Sequence, residues 1–201
     1  MISSAIDLFI QNFYFSVLGA PILTCSASSS ASGYPIYGPE SIMARKAHGT
    51  CPKGVQLNLR WGCDQSLADR ITCYNRHWAE NFGYWLDTDF YEYAIKQVDR
   101  SFFIPFLCFL QTEPITFYDS VTGKPLFKAP IGRTMSGFLK ESQDHGWPSF
   151  RDEEVVWENV RCLENGEAVS LEGSHLGHNL PDNRGNRYCI NLVSVAGKPS
   201  E

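Results

Sequence analysis

The sequence predicts a mainly β fold of antiparallel sheets with a partly helical N-terminal region, and three observations predict it. From Ile115 onward, runs rich in Val, Ile, Phe and Tyr recur about every ten residues with Gly and Pro between them. The last run alternates Tyr188, Ile190 and Leu192 with Cys189, Asn191 and Val193, the period of a strand with two unlike faces. Upstream, Leu67, Ile71, Tyr74 and Trp78 recur at helical spacing instead.

Taken in order, the chain divides into three segments. Residues 1–33 hold an apolar run from Phe13 to Leu23 and the Ser/Ala-rich stretch Cys25 to Gly33. Small-residue sites there suit a leader for organellar (plastid) or secretory targeting, but no Lys or Arg precedes the run and Asp7 sits where positive charge belongs. A flexible tail on a cytoplasmic protein is the alternative, and both readings stay open.

Residues 34–115 form a cysteine-containing, partly helical region with no assigned role. A helix is predicted from about Gln65 to Glu80, closed by the Asn81-Phe82-Gly83 turn. His48, Cys51, Cys63, Cys73 and His77 are widely and irregularly spaced, so core packing or a redox relay is expected of them rather than metal binding. The apolar stretch Ser101 to Leu110 is interrupted by Pro105 and is shorter than the ~20 residues of a membrane span.

Residues 116–195 carry the predicted strands: ITFYDS, VTGKPLFKAP, VVWENVRCL, AVSLEG and RYCINLVSV. Glu164-Asn165-Gly166 reads as a hairpin turn, because Asn-Gly tolerates the positive φ that tight turns need.

Composition narrows the function classes. In 201 residues, 43% are hydrophobic and 19% charged, which suits one main folded domain. A net charge of -5 provides no basic face, so nucleic acid is not an expected partner. Seven cysteines leave at least one thiol free if the others pair, and no C-x-x-C occurs to suggest a zinc ribbon or a thioredoxin-like pair.

Three blocks carry chemistry: Gly146-Trp147-Pro148-Ser149-Phe150, then His175-Leu176-Gly177-His178 followed by Pro181-Asp182, then Arg187-Tyr188-Cys189-Ile190-Asn191. Each alone is weak, since a cysteine in a β-rich run is usually an inert core residue. Together they supply a nucleophile, proton donors and an apolar wall. Positive charge from His175, His178 and Arg187 is expected to favour the Cys189 thiolate over the thiol, whose free pKa is about 8.5. Strand alternation puts Arg187, Cys189 and Asn191 on one face, with Tyr188, Ile190 and Leu192 toward the core.

In this order the blocks, with Gly123-Lys124-Pro125-Leu126-Phe127 ahead of them, resemble the B-type methionine sulfoxide reductases over about 80 residues. The resemblance implies reduction of methionine-R-sulfoxide, in oxidised proteins or as the free amino acid, in protein repair under oxidative stress. Cys189 would be the nucleophile and Trp147 the wall for the substrate methyl group. His175 and His178 would be the paired histidines, with Asp182 and Arg187 as their electrostatic surroundings and Asn191 close to the thiol. Sulfoxide oxygen leaves only when protonated, so an acid near the sulfur is required, and Cys189 would end as a sulfenic acid.

Three departures accompany the resemblance. His145 stands where many members carry a resolving cysteine, which leaves Cys162 as the nearest candidate, with Cys51, Cys63 or Cys73 behind it, or direct reduction by a small thiol or thioredoxin-like partner. Asp119, Thr122, Val169 and Glu172 stand where many members carry zinc cysteines, so no metal or other cofactor is expected there. The loop between Asp182 and Arg187 is short where an aromatic usually joins the pocket. These losses keep a second reading open, a catalytically silent domain of the same fold that binds a protein partner.

Overall fold

The computed structural model describes residues 33–102 and 113–200. The leader reading of residues 1–32 and the apolar stretch beyond residue 102 lie outside the described residues.

The strand-forming runs build two antiparallel sheets. β1 (Ile115–Tyr118) pairs with β2 (Pro125–Ala129). β3 (Ser149–Phe150), β4 (Val160–Cys162), β5 (Glu167–Ser170), β6 (His175–Asn179) and β7 (Tyr188–Ile190) form a sheet of order β3-β7-β6-β5-β4. The expected turn joins β4 to β5, with Gly166 at φ +87° and its N–H donating to the Leu163 carbonyl at 2.9 Å. On β7 the predicted alternation holds: Tyr188 and Ile190 are fully buried and Cys189 is half-buried.

Helices are more prominent than the mainly β expectation allows, and helical residues outnumber strand residues. α1 (Gln65–Asp69) starts where the Asp64 carboxylate accepts the Leu67 N–H at 2.6 Å, and it widens into a π-turn over Arg70–Tyr74. α2 spans Phe90–Phe102. α3 (Met135–His145) begins at Thr134, whose hydroxyl accepts from Gly137 N–H at 3.1 Å. It ends at Gly146, φ +84°, where a Cβ would meet the Phe82 ring at 2.2 Å.

The helix predicted to reach Glu80 stops at Tyr74. Ile71 faces the core, but Tyr74 and Trp78 are 57% and 59% exposed, so the apolar stripe breaks halfway. Distant partners explain the stop. Arg76 is drawn to Glu167 on β5 at 2.7 Å, and the Glu80 carboxylate accepts the N–H groups of Leu192 and Val193 at 2.8 and 3.1 Å. Residues 75–80 therefore run as a non-helical segment past β7.

One core joins the middle and C-terminal segments: Trp61, Ile71 and Trp85 pack in the same cluster as Phe117, Phe127, Phe150 and Tyr188. Cys51 and Cys73 are disulfide-bonded, with Cα atoms 5.3 Å apart. No described helix is long and apolar enough to cross a membrane.

The turn after β1 and the turn before β6 are tied together by side chains. Asp119 is fully buried and accepts from Val121 N–H at 2.9 Å, Thr122 hydroxyl at 3.0 Å and Ser174 hydroxyl at 2.9 Å. Burial pushes its carboxyl above the ordinary value. Lys124 meets Glu172 at 2.6 Å on the surface.

Candidate active site

Cys189 lies at the centre of β7, between β3 and β6. Ser149 opposes it on one side and His178 on the other. Paired residues across antiparallel strands share a face, so hydroxyl, thiol and imidazole project together. Ser149 Oγ lies 3.9 Å from Cys189 Sγ, and the Arg187 guanidinium donates to the same sulfur. Gly177 permits this close pairing, because a Cβ there would lie 2.0 Å from the Cys189 carbonyl oxygen.

His175 and His178 are three apart, and regular alternation would send them to opposite faces. A register shift where β6 meets Ala168 and Val169 adds one residue, which brings the rings to 5.5 Å edge to face. His175 is buried, with Nδ1 2.7 Å from Glu167 Oε1. Burial acts to raise the Glu167 carboxyl, but hydrogen bonds from His175 and Arg76 hold it below the ordinary value. His178 is the imidazole that reaches the pocket. Burial first, then charge on His175 and His77, lowers its pKa, so it is neutral near pH 7.

The pocket has a volume of about 190 Å³. Cys189, His178, Gly177, Asn191 and Trp147 line it from the β-domain, with Leu180 at its edge. His77, Trp78 and Ala79 close the other side from the segment after α1. Trp147 donates its indole N–H to the Glu80 carbonyl at 3.1 Å and meets Phe82 edge to face. Asn191 is buried, accepting from Glu80 N–H at 3.1 Å and donating to the Leu176 carbonyl at 3.1 Å, so it fastens strands as well as lining the cavity.

Asp182 stands behind Arg187, 3.4 Å from its Nε, and is held by Arg151 at 2.8 Å. Hydrogen bonding from Arg151 keeps its carboxyl well below the usual range. Cys189, His178, Trp147 and Asn191 therefore meet at one cavity, while His175, Asp182 and Arg187 support it from behind.

Two expectations are corrected. The thiol is not driven to thiolate: burial raises the Cys189 pKa above its ordinary value, although Arg187 and Ser149 act the other way. Nor is Cys162 placed to resolve a sulfenic acid. It is buried on β4, three strands from β7, roughly 14 Å away at ~4.8 Å per strand, and burial pushes its thiol up to about 12. Cys51 and Cys73 are bonded to each other, and Cys63 is buried in the core with its thiol raised by burial.

Sequence reasoning missed His77, Trp78 and Leu180 as lining residues, and Glu80 as the anchor of the outer wall. Glu80 is almost fully buried, and burial pushes its carboxyl up to about 8. Glu80→Ala strips two backbone N–H groups of their acceptor. It is expected to lower stability by about 1–3 kcal/mol, measured by urea unfolding.

No protein-family model, no curated protein and no solved structure matches this chain.

Proposed function

We propose that this chain reduces methionine-R-sulfoxide through Cys189, on a domain of the B-type methionine sulfoxide reductase kind. The observation that carries the reading is the half-buried Cys189 thiol beside His178, in a small pocket walled by Trp147. The cavity suits a thioether side chain with its methyl group against the indole.

The protonation states define a route. Burial keeps Cys189 as a thiol and His178 as a neutral imidazole. His178 takes the thiol proton as sulfur attacks sulfur, then passes it to the sulfoxide oxygen. The hydroxyl then passes from the methionine sulfur to the cysteine sulfur: the S–O bond to methionine and the transient S–S bond break, an S–O bond forms on Cys189, methionine leaves as the thioether and Cys189 is left as S–OH. Thiol and sulfoxide become sulfenic acid and thioether, so atoms and electrons balance. No free thiol among the described residues adjoins Cys189, which favours an external thiol or a thioredoxin-like dithiol as reductant.

Rate should be level across neutral pH. It should fall in acid as His178 becomes protonated, below the ordinary imidazole value, and in alkali as the Cys189 thiol is lost, above the ordinary thiol value. A pH profile of kcat/KM reads both limbs, and His178→Gln should remove the acid limb along with about 10²–10⁴ of rate.

The direct test incubates purified protein with a dabsylated R-sulfoxide and dithiothreitol, beside Cys189→Ser. Equal product from both would end the proposal. The raised Cys189 thiol is the observation favouring a silent, partner-binding domain instead. That reading predicts no turnover by the folded chain whatever the reductant.

A further inference from the structure

Outside the pocket, a second group of chemistry-bearing side chains converges from two stretches of the middle segment. His48 and Cys51 form an H-x₂-C pair and Asp69 and Cys73 a D-x₃-C pair. The first pair lies on a tight turn in which His48 N–H donates to the Cys51 carbonyl at 3.0 Å and Cys51 N–H to the His48 carbonyl at 2.9 Å. Gly49 makes that turn, at φ +63°, with no room for a Cβ, which would lie 2.0 Å from the Cys73 carbonyl oxygen. The second pair is one turn apart where α1 passes into its π-turn.

The donor atoms of His48, Asp69 and Cys73 all lie within 4.8 Å of one another, and the Cys51 sulfur is bonded to that of Cys73. Ligands of one tetrahedral Zn²⁺ lie roughly 3.3–3.8 Å apart, given bonds of ~2.0–2.3 Å. His48 Nε2 sits 2.8 and 2.9 Å from the two Asp69 oxygens, while its Nδ1 is 3.2 Å from the Tyr74 hydroxyl. Val55 N–H donates to Asp69 at 3.2 Å. Metal-bound imidazoles and carboxylates are oriented by such outer partners. Both cysteines are buried, and half-buried His48 and Asp69 give an ion its way in.

We propose that His48, Cys51, Asp69 and Cys73 form a Zn²⁺ site when the Cys51–Cys73 disulfide is reduced. Reduction by a dithiol breaks the S–S bond. Two electrons and two protons pass to the cysteines, and the dithiol becomes its own disulfide. Zn²⁺ then binds the two thiolates, the imidazole and the carboxylate, releasing the two thiol protons. In both states the turn around Gly49 is fastened to Cys73, four residues before the pocket wall begins at His77. The oxidised chain uses a covalent bond for this and the reduced chain a metal. The site stands independently of any role for Cys189.

The test uses the full chain. One sample is reduced with a phosphine, which becomes a phosphine oxide with oxygen from water, and is then desalted anaerobically. It is titrated with Co²⁺ beside the oxidised chain. The reduced chain should take up one more Co²⁺ than the oxidised chain and show thiolate-to-cobalt charge-transfer and tetrahedral visible bands. Zn²⁺ should bleach them. Cys73→Ser should abolish the signal, and Cys189→Ser should retain it. His48→Gln and Asp69→Asn alter half-exposed side chains and leave the core intact, so they guard against a misfolded cysteine variant. Each should weaken binding by about tenfold or more. Equal Co²⁺ uptake by reduced and oxidised chains, or an unchanged signal in both His48→Gln and Asp69→Asn, would overturn the proposal.

Discussion

Cys189→Ser should lose methionine-R-sulfoxide turnover by about 10³-fold or more while its urea midpoint stays close to that of the parent. A serine oxygen in that position could receive the Arg187 hydrogen bond and sit against Ser149, so the pocket keeps its shape. It cannot take up an oxygen atom and later release it to a thiol, which is what sulfur provides. A dithiothreitol-coupled assay on a dabsylated R-sulfoxide measures the loss. Residual activity above a few per cent would assign the chemistry to another thiol, and the described candidates are buried or bonded.

Arg151→Leu should have the largest effect on stability among single changes that leave the pocket lining intact, about 3–5 kcal/mol toward the lower end of that range. Arg151 is buried and bridges Glu141 of α3 to Asp182, donating to Asp182 at 3.1 and 2.8 Å and to the Asn186 carbonyl at 3.0 Å. Leucine leaves two carboxylates with less compensation, although Glu141 keeps Arg133 and Arg184, and Asp182 keeps Arg187. Against a typical total of about 5–15 kcal/mol the loss is large.

The effect should depend on pH with a definite sign. At Glu141 burial works to raise the carboxyl, yet hydrogen bonds and charge from Arg151 and Arg133 hold it below 4.5; at Asp182 hydrogen bonding from Arg151 leads. Carboxyls depressed in the folded state contribute stability above their ordinary values and lose it as pH falls through the folded-state pKa. The gap between parent and Arg151→Leu should therefore narrow in acid. Urea unfolding at neutral pH and at about pH 3 checks both size and direction.

Much of the fold is legible where local pattern and tertiary placement agree. Asn165-Gly166 gives the β4–β5 turn, and the alternation from Tyr188 gives both the buried face and the thiol face of β7. The signals for α3 were present too, a Thr134 cap and a Gly146 stop, but its apolar positions are few. β3 has two residues and β6 reads His-Leu-Gly-His-Asn, with little strand propensity, so sheet pairing makes these strands. The helix ending at Tyr74 was overextended because Arg76 and Glu80 find partners about ninety and a hundred and ten residues away, which no local period records.

The site divides in the same way. Cys189, His178, Trp147 and Asn191 were named from motifs and meet at one cavity. The wall from His77 to Ala79 was invisible because those residues sit on a segment that read as helix. The raised Cys189 thiol was misjudged because nearby positive charge was weighed without the burial that opposes it. His48, Asp69 and Cys73 converge where the Gly49 turn packs against the carbonyl of Cys73, a contact between stretches over twenty residues apart.

The most direct measurement is a single turnover without reductant, followed by dimedone capture and peptide mass spectrometry. With the R-sulfoxide of a methionine peptide, one equivalent of methionine should appear together with a dimedone adduct on Cys189, and the S-sulfoxide should give neither. Methionine formed while Cys189 remains an unmodified thiol, or no methionine formed from a folded chain, would contradict the account.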